Sequence, residues 1–346
     1  MHVDYIIVGF GLAGMAFASE LETNSKSFVV FEDQSQQSSQ VAAGFYNPVV
    51  LKRFTSVWNA KAQLAIALPF YQKLATKFKA KYDTKMDVHR IFTSIAEQND
   101  WFIASDKPAL SDYMHPKIIQ NTNTAIKAPF GFGKLVNTGK IDTKKVLKDY
   151  KKYLTDTKQL RTTTFQHDDI KCTANEVTYQ ELTAKYIVFC EGFGLRQNPF
   201  FNYLPMQEAK GELITIHAPQ LKLTEMLKAA VFVLPLGDDL YKVGATFNWK
   251  DKTAHPTEVA KTELLEKLDS ILSVAYTVVD HVAGIRPTTK DRRPLVGVHK
   301  THNQLAILNG LGTRGVLLAP SMAKALYGYL ENQTALSDEV NITRFE

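Results

Sequence analysis

Residues 3–32 constrain this chain more than any other stretch. Val3 to Val8 is an apolar run rich in β-branched residues, interrupted only by Asp4 near its start and ending at a glycine. That is the pattern of a parallel strand buried on both faces. Gly9-Phe10-Gly11-Leu12-Ala13-Gly14 follows and fits G-x-G-x-x-G. Gly9 would permit a tight turn and Gly11 a close approach of backbone to a pyrophosphate. Gly14 would let helix pack on strand, and Leu12 and Ala13 open a helix whose N-terminus faces the phosphates. Leu12 to Leu21 reads as that helix and Phe28 to Phe31 as a second buried strand, which completes a βαβ unit. Glu32 at the end of that strand is placed to accept the two ribose hydroxyls of an adenosine. An adenine dinucleotide is therefore expected, and the unit alone leaves FAD and NAD both open.

Downstream, residues 34–41 read as a polar loop. A long helix is expected from Ser56 towards Ala80, with Leu64, Leu68, Tyr71, Leu74 and Phe78 on one face and Pro69 bending or splitting it. His89 to Ile95 looks like a strand, and 99–133 is a mixed stretch rich in turn residues. Asp142 to Leu154 is a helix capped by Asp142 or Thr143, and Tyr186 to Cys190 another buried strand followed by Gly192 and Gly194. From Gly211 the period changes. Leu213–His217, Val231–Leu234 and Tyr241–Thr246 read as strands, with a hairpin turn at Gly237, Asp238 and Asp239. A helix over Glu258–Leu272, a strand over Tyr276–Ile285, a strand at Ala306–Leu308 and a final helix to about Leu330 follow. The order α/β, antiparallel β, α/β implies an α/β fold. A Rossmann-like domain is completed from distant parts of the chain, with a mainly antiparallel β substrate domain inserted. The division expected is 1–84, 133–203 and 285–346 for the nucleotide part and 85–132 and 204–284 for the substrate part.

Asn309-Gly310-Leu311-Gly312-Thr313-Arg314-Gly315 opens the last helix. A helix start there offers free N–H groups and a positive dipole end, suited to the negative N1–C2=O locus of a reduced flavin. This favours FAD over NAD. The two cysteines, Cys172 and Cys190, are too few and too far apart for a metal cluster or a disulfide framework, and suit a reducing compartment. The longest uncharged apolar run, Tyr5–Ser19, falls short of the ~20 residues of a membrane span and lacks a basic segment before it. A cytoplasmic protein without membrane association is expected.

The net charge is +6, with lysines gathered at 73, 77, 79, 81 and 85 and at 140, 144, 145, 148, 151 and 152. These are either solvated helix faces or the footprint of an anionic partner such as RNA. His217, His281 and His299 fall in or beside strands and read as core or surface residues. Phe232 and Tyr241 either wall a pocket or pack.

Several segments together resemble the D-amino-acid oxidase (DAO) family of flavoproteins, the group containing glycine oxidase and sarcosine oxidase, over nearly the whole chain. They are IIVGFGLAGMAFASEL with VVFED, VAAGFYNPVVLKR, IVFCEGFG, YKVGATF, GIRPTTKDRRPLVG and NGLGTRGVLLAP. Within it, LPMQEAKGELITI and GTRGVLLAP are similar to the oxidoreductase half of the bifunctional tRNA wobble-uridine-modifying enzymes. The resemblance implies a glutathione-reductase-type FAD domain. It implies flavin contacts from Ala42, Ala43, Gly44 and Asn47, from Cys190 and Gly192, and from Gly310, Gly312, Thr313, Arg314 and Gly315. Arg286 matches the family arginine that clamps a substrate carboxylate, a role a guanidinium fork suits; Arg292, Arg293 and Arg314 compete for it. Sarcosine oxidase attaches its flavin through a cysteine near this point, and 286–297 has none here, so FAD is expected to be non-covalent. The implied reaction is hydride removal from the carbon beside an amine nitrogen, giving an imine that hydrolyses, with oxygen or another electron acceptor. A carboxylate-bearing amine is the first expectation. A carboxymethylated tRNA uridine is the second, and an NAD-linked dehydrogenase the third.

Overall fold

The computed structural model describes residues 1–173 and 175–345. In the first half of the chain the elements that matter to the site are β1 His2–Val8, α1 Leu12–Thr23, β2 Phe28–Phe31, α2 Ser38–Val41 and α3 Ala60–Phe78. They continue with β3 Val88–Ile91, α4 Ile95–Ser105, β4 Phe132–Leu135, α5 Thr143–Asp156 and β5 Leu182–Phe189. The second half holds β6 Met206–His217, β7 Met226–Lys228, β8 Phe232–Gly237, β9 Leu240–Gly244, α6 Glu258–Asp269 and β10 Thr277–Thr289. It closes with β11 Leu295–Val298, β12 Leu305–Asn309 and α7 Gly315–Asn332.

Two sheets organise these elements. In the first, Leu160–Arg161, β2, β1, β5 and β12 lie side by side in parallel, and β11 joins the edge antiparallel to β12. β2 is apolar throughout, and β1, β5 and β12 are apolar over residues 5–8, 186–189 and 305–308, because α1, α3, α5 and α7 cover one face and a second apolar cluster covers the other. α1 is buried from Leu12 through Ser19 and at Leu21, and it packs against α7. In the second sheet the order is β10-β6-β9-β8-β7-β3-β4, antiparallel except where β7 meets β3. β10 and β6 are the longest strands and pair over most of their length. Asp238 and Asp239, both with positive φ, form the two-residue turn between β8 and β9, the geometry that matches strand twist.

Local chemistry explains most departures from the sequence pattern. Pro69 does not split α3, which runs unbroken for 19 residues. Burial of Leu64, Ala67, Tyr71 and Leu74 along one side outweighs the hydrogen bond the proline forfeits. The polar stretch 34–41 contains the one-turn helix α2 instead of being loop throughout, held by Ser38 Oγ donating to the Ile285 carbonyl of β10. The strand expected at His89–Ile95 ends at Ile91, because Ser94 caps α4 by accepting from the Glu97 N–H. α5 starts as expected, with Asp142 accepting the Lys145 N–H at 2.9 Å. β4 pairs with β3 inside the antiparallel sheet, and β10 runs continuously across residues 284–285.

Candidate active site

One cavity of about 1150 Å³ runs from the carboxyl ends of the parallel strands to the face of the antiparallel sheet. That exceeds the ~300–1000 Å³ of a drug-sized site and leaves room for a dinucleotide and a substrate together. Its walls come from segments far apart in sequence: 8–13, 31–45, 163–167, 190–194 and 309–316 on the nucleotide side, and residues of β6, β7, β8 and β10 on the other.

The βαβ unit forms its base. Gly9 has φ +91°, and a Cβ there would come within 2.7 Å of the Cys190 carbonyl. Gly14 lies beneath the Gly9 carbonyl, where a Cβ would overlap that oxygen. So Gly9 and Gly11 line the cavity, while Gly14 serves helix–strand packing and does not. No side chain of the N-cap residue Gly11 caps α1, and the Leu12 N–H donates at 3.2 Å to Ser39 Oγ. Glu32 is almost fully buried at the cavity wall. Its Oε2 accepts the Phe10 N–H at 2.5 Å and its Oε1 the Gln34 N–H at 2.9 Å, with Lys151 Nζ 3.4 Å away. A fixed carboxylate oxygen has further lone pairs to offer hydroxyl donors.

Opposite, the N-terminus of α7 enters the same cavity at Gly312, Thr313, Gly315 and Val316, with no side-chain cap. Two helix N-termini therefore direct partial positive charge into one space. Asn309 ties two turns together: its Nδ2 donates to the Gly192 carbonyl at 3.0 Å and its Oδ1 accepts the Gly310 N–H at 2.7 Å. Gly310, at φ +71°, supports this turn from outside the cavity. Ala42, Ala43, Gly44, Cys190 and Gly192 line the wall. Asn47 and Arg314 instead line an adjoining recess that shares Phe45, Thr313 and Val316 with the cavity, and Arg314 Nη1 donates to the Asn47 carbonyl at 3.2 Å. Burial lowers the Arg314 pKa from its usual value. Burial, with Glu191 beside it, pushes the Cys190 thiol pKa far up, which keeps that thiol protonated and unreactive.

At the far end Arg286 reaches in from β10. Its guanidinium lies against Gly211 of β6, where any Cβ would overlap it, and 4.2 Å from the Phe247 ring centroid. Nη1 donates to the Thr246 carbonyl at 3.2 Å. No ion pair holds Arg286 among the described residues, and desolvation pushes its pKa down to about 10. Its competitors are elsewhere: Arg293 pairs with Glu339 at 3.1 Å and stacks on Trp58, and Arg292 is exposed. Phe232 walls the cavity, whereas Tyr241 is buried and accepts the Leu223 N–H at 3.3 Å, a packing role. His217, His281 and His299 stay outside the wall. His281 faces Glu212 at 2.9 Å, and His299 stacks on His302.

The sequence pattern overlooked four wall residues. His167 pairs with Glu191 at 2.8 Å, and both line the adenosine side. Ser39 carries no motif. Lys228 sits on β7, and burial beside Arg90 and Lys267 pushes its pKa down to about 8. Among the lysine clusters, Lys77 pairs with Glu22, Lys85 with Asp83, Lys145 with Asp149, Lys151 with Glu32 and Lys152 with Asp156, while Lys73 donates to Thr23. No helix among the described residues is long and apolar enough to cross a membrane, and no group of His, Cys, Asp or Glu among them could hold a metal.

The cavity's glycine cradle, buried acceptor at Glu32 and paired helix N-termini fit the adenosine, pyrophosphate and flavin of FAD. A family model described as FAD dependent oxidoreductase (DAO) matches residues 4–327. Glycine oxidase of Bacillus subtilis is 21% identical over all of this chain and 97% of its own length. The tRNA 5-methylaminomethyl-2-thiouridine biosynthesis bifunctional protein MnmC of Marinobacter nauticus is 22% identical over 95% of this chain, which spans only 56% of that protein. In the solved structures, glycine oxidase of Geobacillus kaustophilus superposes with a TM-score of 0.81 at 17% identity, covering 97% of this chain and 96% of that one. This chain belongs to the DAO family and is an FAD-dependent oxidoreductase.

Proposed function

We propose that this protein oxidises the C–N bond of a carboxylate-bearing amine, an amino acid or N-substituted glycine. The observation that carries the reading is Arg286, a largely desolvated guanidinium with no carboxylate partner among the described residues, at the end of the cavity remote from the fingerprint. An unpaired buried charge is costly, and a substrate carboxylate would complete it with a two-pronged hydrogen bond. Glycine oxidase, the curated relative matched end to end, is named for such an amine.

FAD, when bound non-covalently along Glu32, Gly9–Ala13 and Gly312–Gly315, would supply a hydride acceptor at its N5. The chain's own residues hold and orient. Arg286 fixes the carboxylate and with it the carbon beside the nitrogen. Leu213, Phe232 and Phe247 give that carbon an apolar wall, and the α7 N-terminus stabilises negative charge that develops opposite it. Positioning of this kind can supply roughly 7–11 kcal/mol of a barrier. A substrate ammonium need only lose its proton, and the imine product is hydrolysed by water, so no paired acid and base are required. Oxygen or another acceptor takes the electrons. With two free cysteines, the reading is of a cytoplasmic enzyme.

A second reading is removal of the carboxymethyl group from a modified tRNA uridine, favoured by the end-to-end match of this chain to part of the tRNA-modifying relative. Five of the eleven clustered lysines are paired with carboxylates within the chain, which weighs against a broad phosphate-binding face. The test is anaerobic bleaching of the bound flavin by glycine, sarcosine, D- and L-amino acids and carboxymethylaminomethyl-modified tRNA. Bleaching by a free amino acid supports the first reading, bleaching by tRNA alone the second. No bleaching by any of them refutes both.

A further inference from the structure

Lys228 is the one lysine on the inner strands of the antiparallel sheet that lines the cavity. Among the described residues no carboxylate is paired with its ammonium. Arg90, across the parallel pairing with β3, donates through Nε and Nη2 to Glu97, at 3.0 and 2.6 Å, and through Nη1 to the Lys228 carbonyl at 3.5 Å. Lys267, at the cavity rim, is paired with Glu263. No ion pair of Lys228 occurs among the described residues, and the two nearby cations raise the cost of its charge. A strand lysine kept in that state inside a ligand cavity is ill explained by packing, since a methionine of similar volume would avoid the penalty.

The sheet register places Lys228 relative to Arg286. Lys228 pairs with Phe232, Phe232 with Gly244 and Gly244 with Leu213. Gly211, which carries the Arg286 guanidinium, is two residues along from Leu213 and so on the same face. The backbones under the two cations are thus separated by three strand spacings across the sheet and two residues along it, roughly 16 Å in all, and both side chains line the cavity between them. Its floor is Leu213 and Phe232. The gap is apolar in the middle and cationic at both ends.

We infer that the amine this cavity takes carries a second anionic group, held by Lys228, at the end away from the carboxylate that Arg286 holds. The inference rests on the amine-oxidation reading above and narrows it to N-substituted amino acids with a carboxylate or phosphate at the far end of the substituent. Both sources share the same recognition, a fixed cation meeting a flexible anion across an apolar floor.

The test uses the FAD-loaded protein and a series of N-(ω-carboxyalkyl)glycines with one to five methylenes. Each is paired with the N-alkylglycine of equal length, and one N-(ω-phosphonoalkyl)glycine is included. Flavin bleaching rate and half-saturation concentration are read anaerobically. The expected result is a preference for the dianion over its uncharged match, rising with chain length to an optimum. In Lys228→Met that preference falls roughly 10- to 150-fold, the range for one charged hydrogen bond, while the bound-flavin spectrum reports an intact fold. A phosphonate preferred over the carboxylate, and likewise lost in the variant, also supports the second anion and assigns it to phosphate. A wild-type protein without preference, or a preference that survives in Lys228→Met, overturns the inference and leaves the amine reading standing. If no amine of either kind bleaches the flavin, the amine reading itself falls and takes this inference with it.

Discussion

Gly211→Ala isolates the geometry of the proposed carboxylate site with a single methyl group. Gly211 sits in β6 opposite Gly284 of β10, and its φ is not in the left-handed region, so an alanine backbone fits there without strain. What the methyl meets is the Arg286 guanidinium, whose Nη1, Nη2 and Cζ all occupy the space it needs. The strand is fixed by pairing on both sides, to β10 and to β9, so the arginine must give way. It can do so, because it faces the cavity and, among the described residues, is held by the Thr246 carbonyl and the Phe247 ring. A guanidinium displaced by an ångström or more no longer meets a carboxylate with both prongs. Losing one charge-assisted hydrogen bond is worth about 1.5–3 kcal/mol, which at 1.4 kcal/mol per decade is roughly 10- to 150-fold. The expected result is a fall of that size in kcat/KM for a carboxylate-bearing amine, carried mainly by KM. Amines without a carboxylate should show no comparable loss, the bound flavin should keep its spectrum, and the melting temperature should move little because the displaced group has a cavity to enter. Arg286→Lys serves as comparator and should lose at least as much, since an ammonium cannot form the fork. A Gly211→Ala protein with unchanged KM for carboxylate-bearing amines would refute the assignment of Arg286, as would an equal loss on amines lacking the carboxylate.

Glu32→Gln keeps size but removes the charge that accepts the Phe10 N–H and faces the proposed ribose; FAD affinity, measured by flavin fluorescence on titration, should weaken roughly 10- to 100-fold. Gly14→Ala places a methyl on the Gly9 carbonyl in a packed helix–strand contact, so the protein should lose at least about 1–3 kcal/mol of stability in denaturant titration with or without FAD; an unaltered midpoint would contradict the packing role. Lys228→Met should raise the melting temperature at pH 7. In the wild type, desolvation lowers the folded-state pKa of Lys228 to about 8, below the 10.5 of a free lysine. Between those values the unfolded chain binds more protons, so wild-type stability rises with pH and the gap to the variant should narrow from pH 8 to pH 10. A gap that widens over that window would reverse the sign of the argument.

How much of this was legible in the sequence depends on how far apart the cooperating residues lie. The βαβ unit announces itself because strand, glycines, helix and acid fall within 32 residues and each obeys a local rule. Gly9, Gly11 and Glu32 accordingly reach the cavity wall. The G-x-G turn before α7 is equally local. Where a residue's place is decided by tertiary partners, the pattern misleads or falls silent. Pro69 looks like a break but is carried by the packing of its helix, and the polar stretch at 34–41 looks like loop although Ser38 and Ser39 bridge it to β10 and α1. Asn47 and Arg314, like Gly310, flank motifs that do line the cavity, yet they serve the turns behind it, a difference of one residue in direction that no motif encodes. The substrate end is the extreme case. Arg286 and Gly211 are 75 positions apart, and only the register of β10 on β6 shows that the glycine exists to leave room for the arginine. Lys228 reaches the same cavity through three further strand pairings. Specificity built from cross-strand neighbours is written in register, and register is a property of the folded sheet. The cofactor end could therefore be read along the chain, while the substrate end had to be read across it.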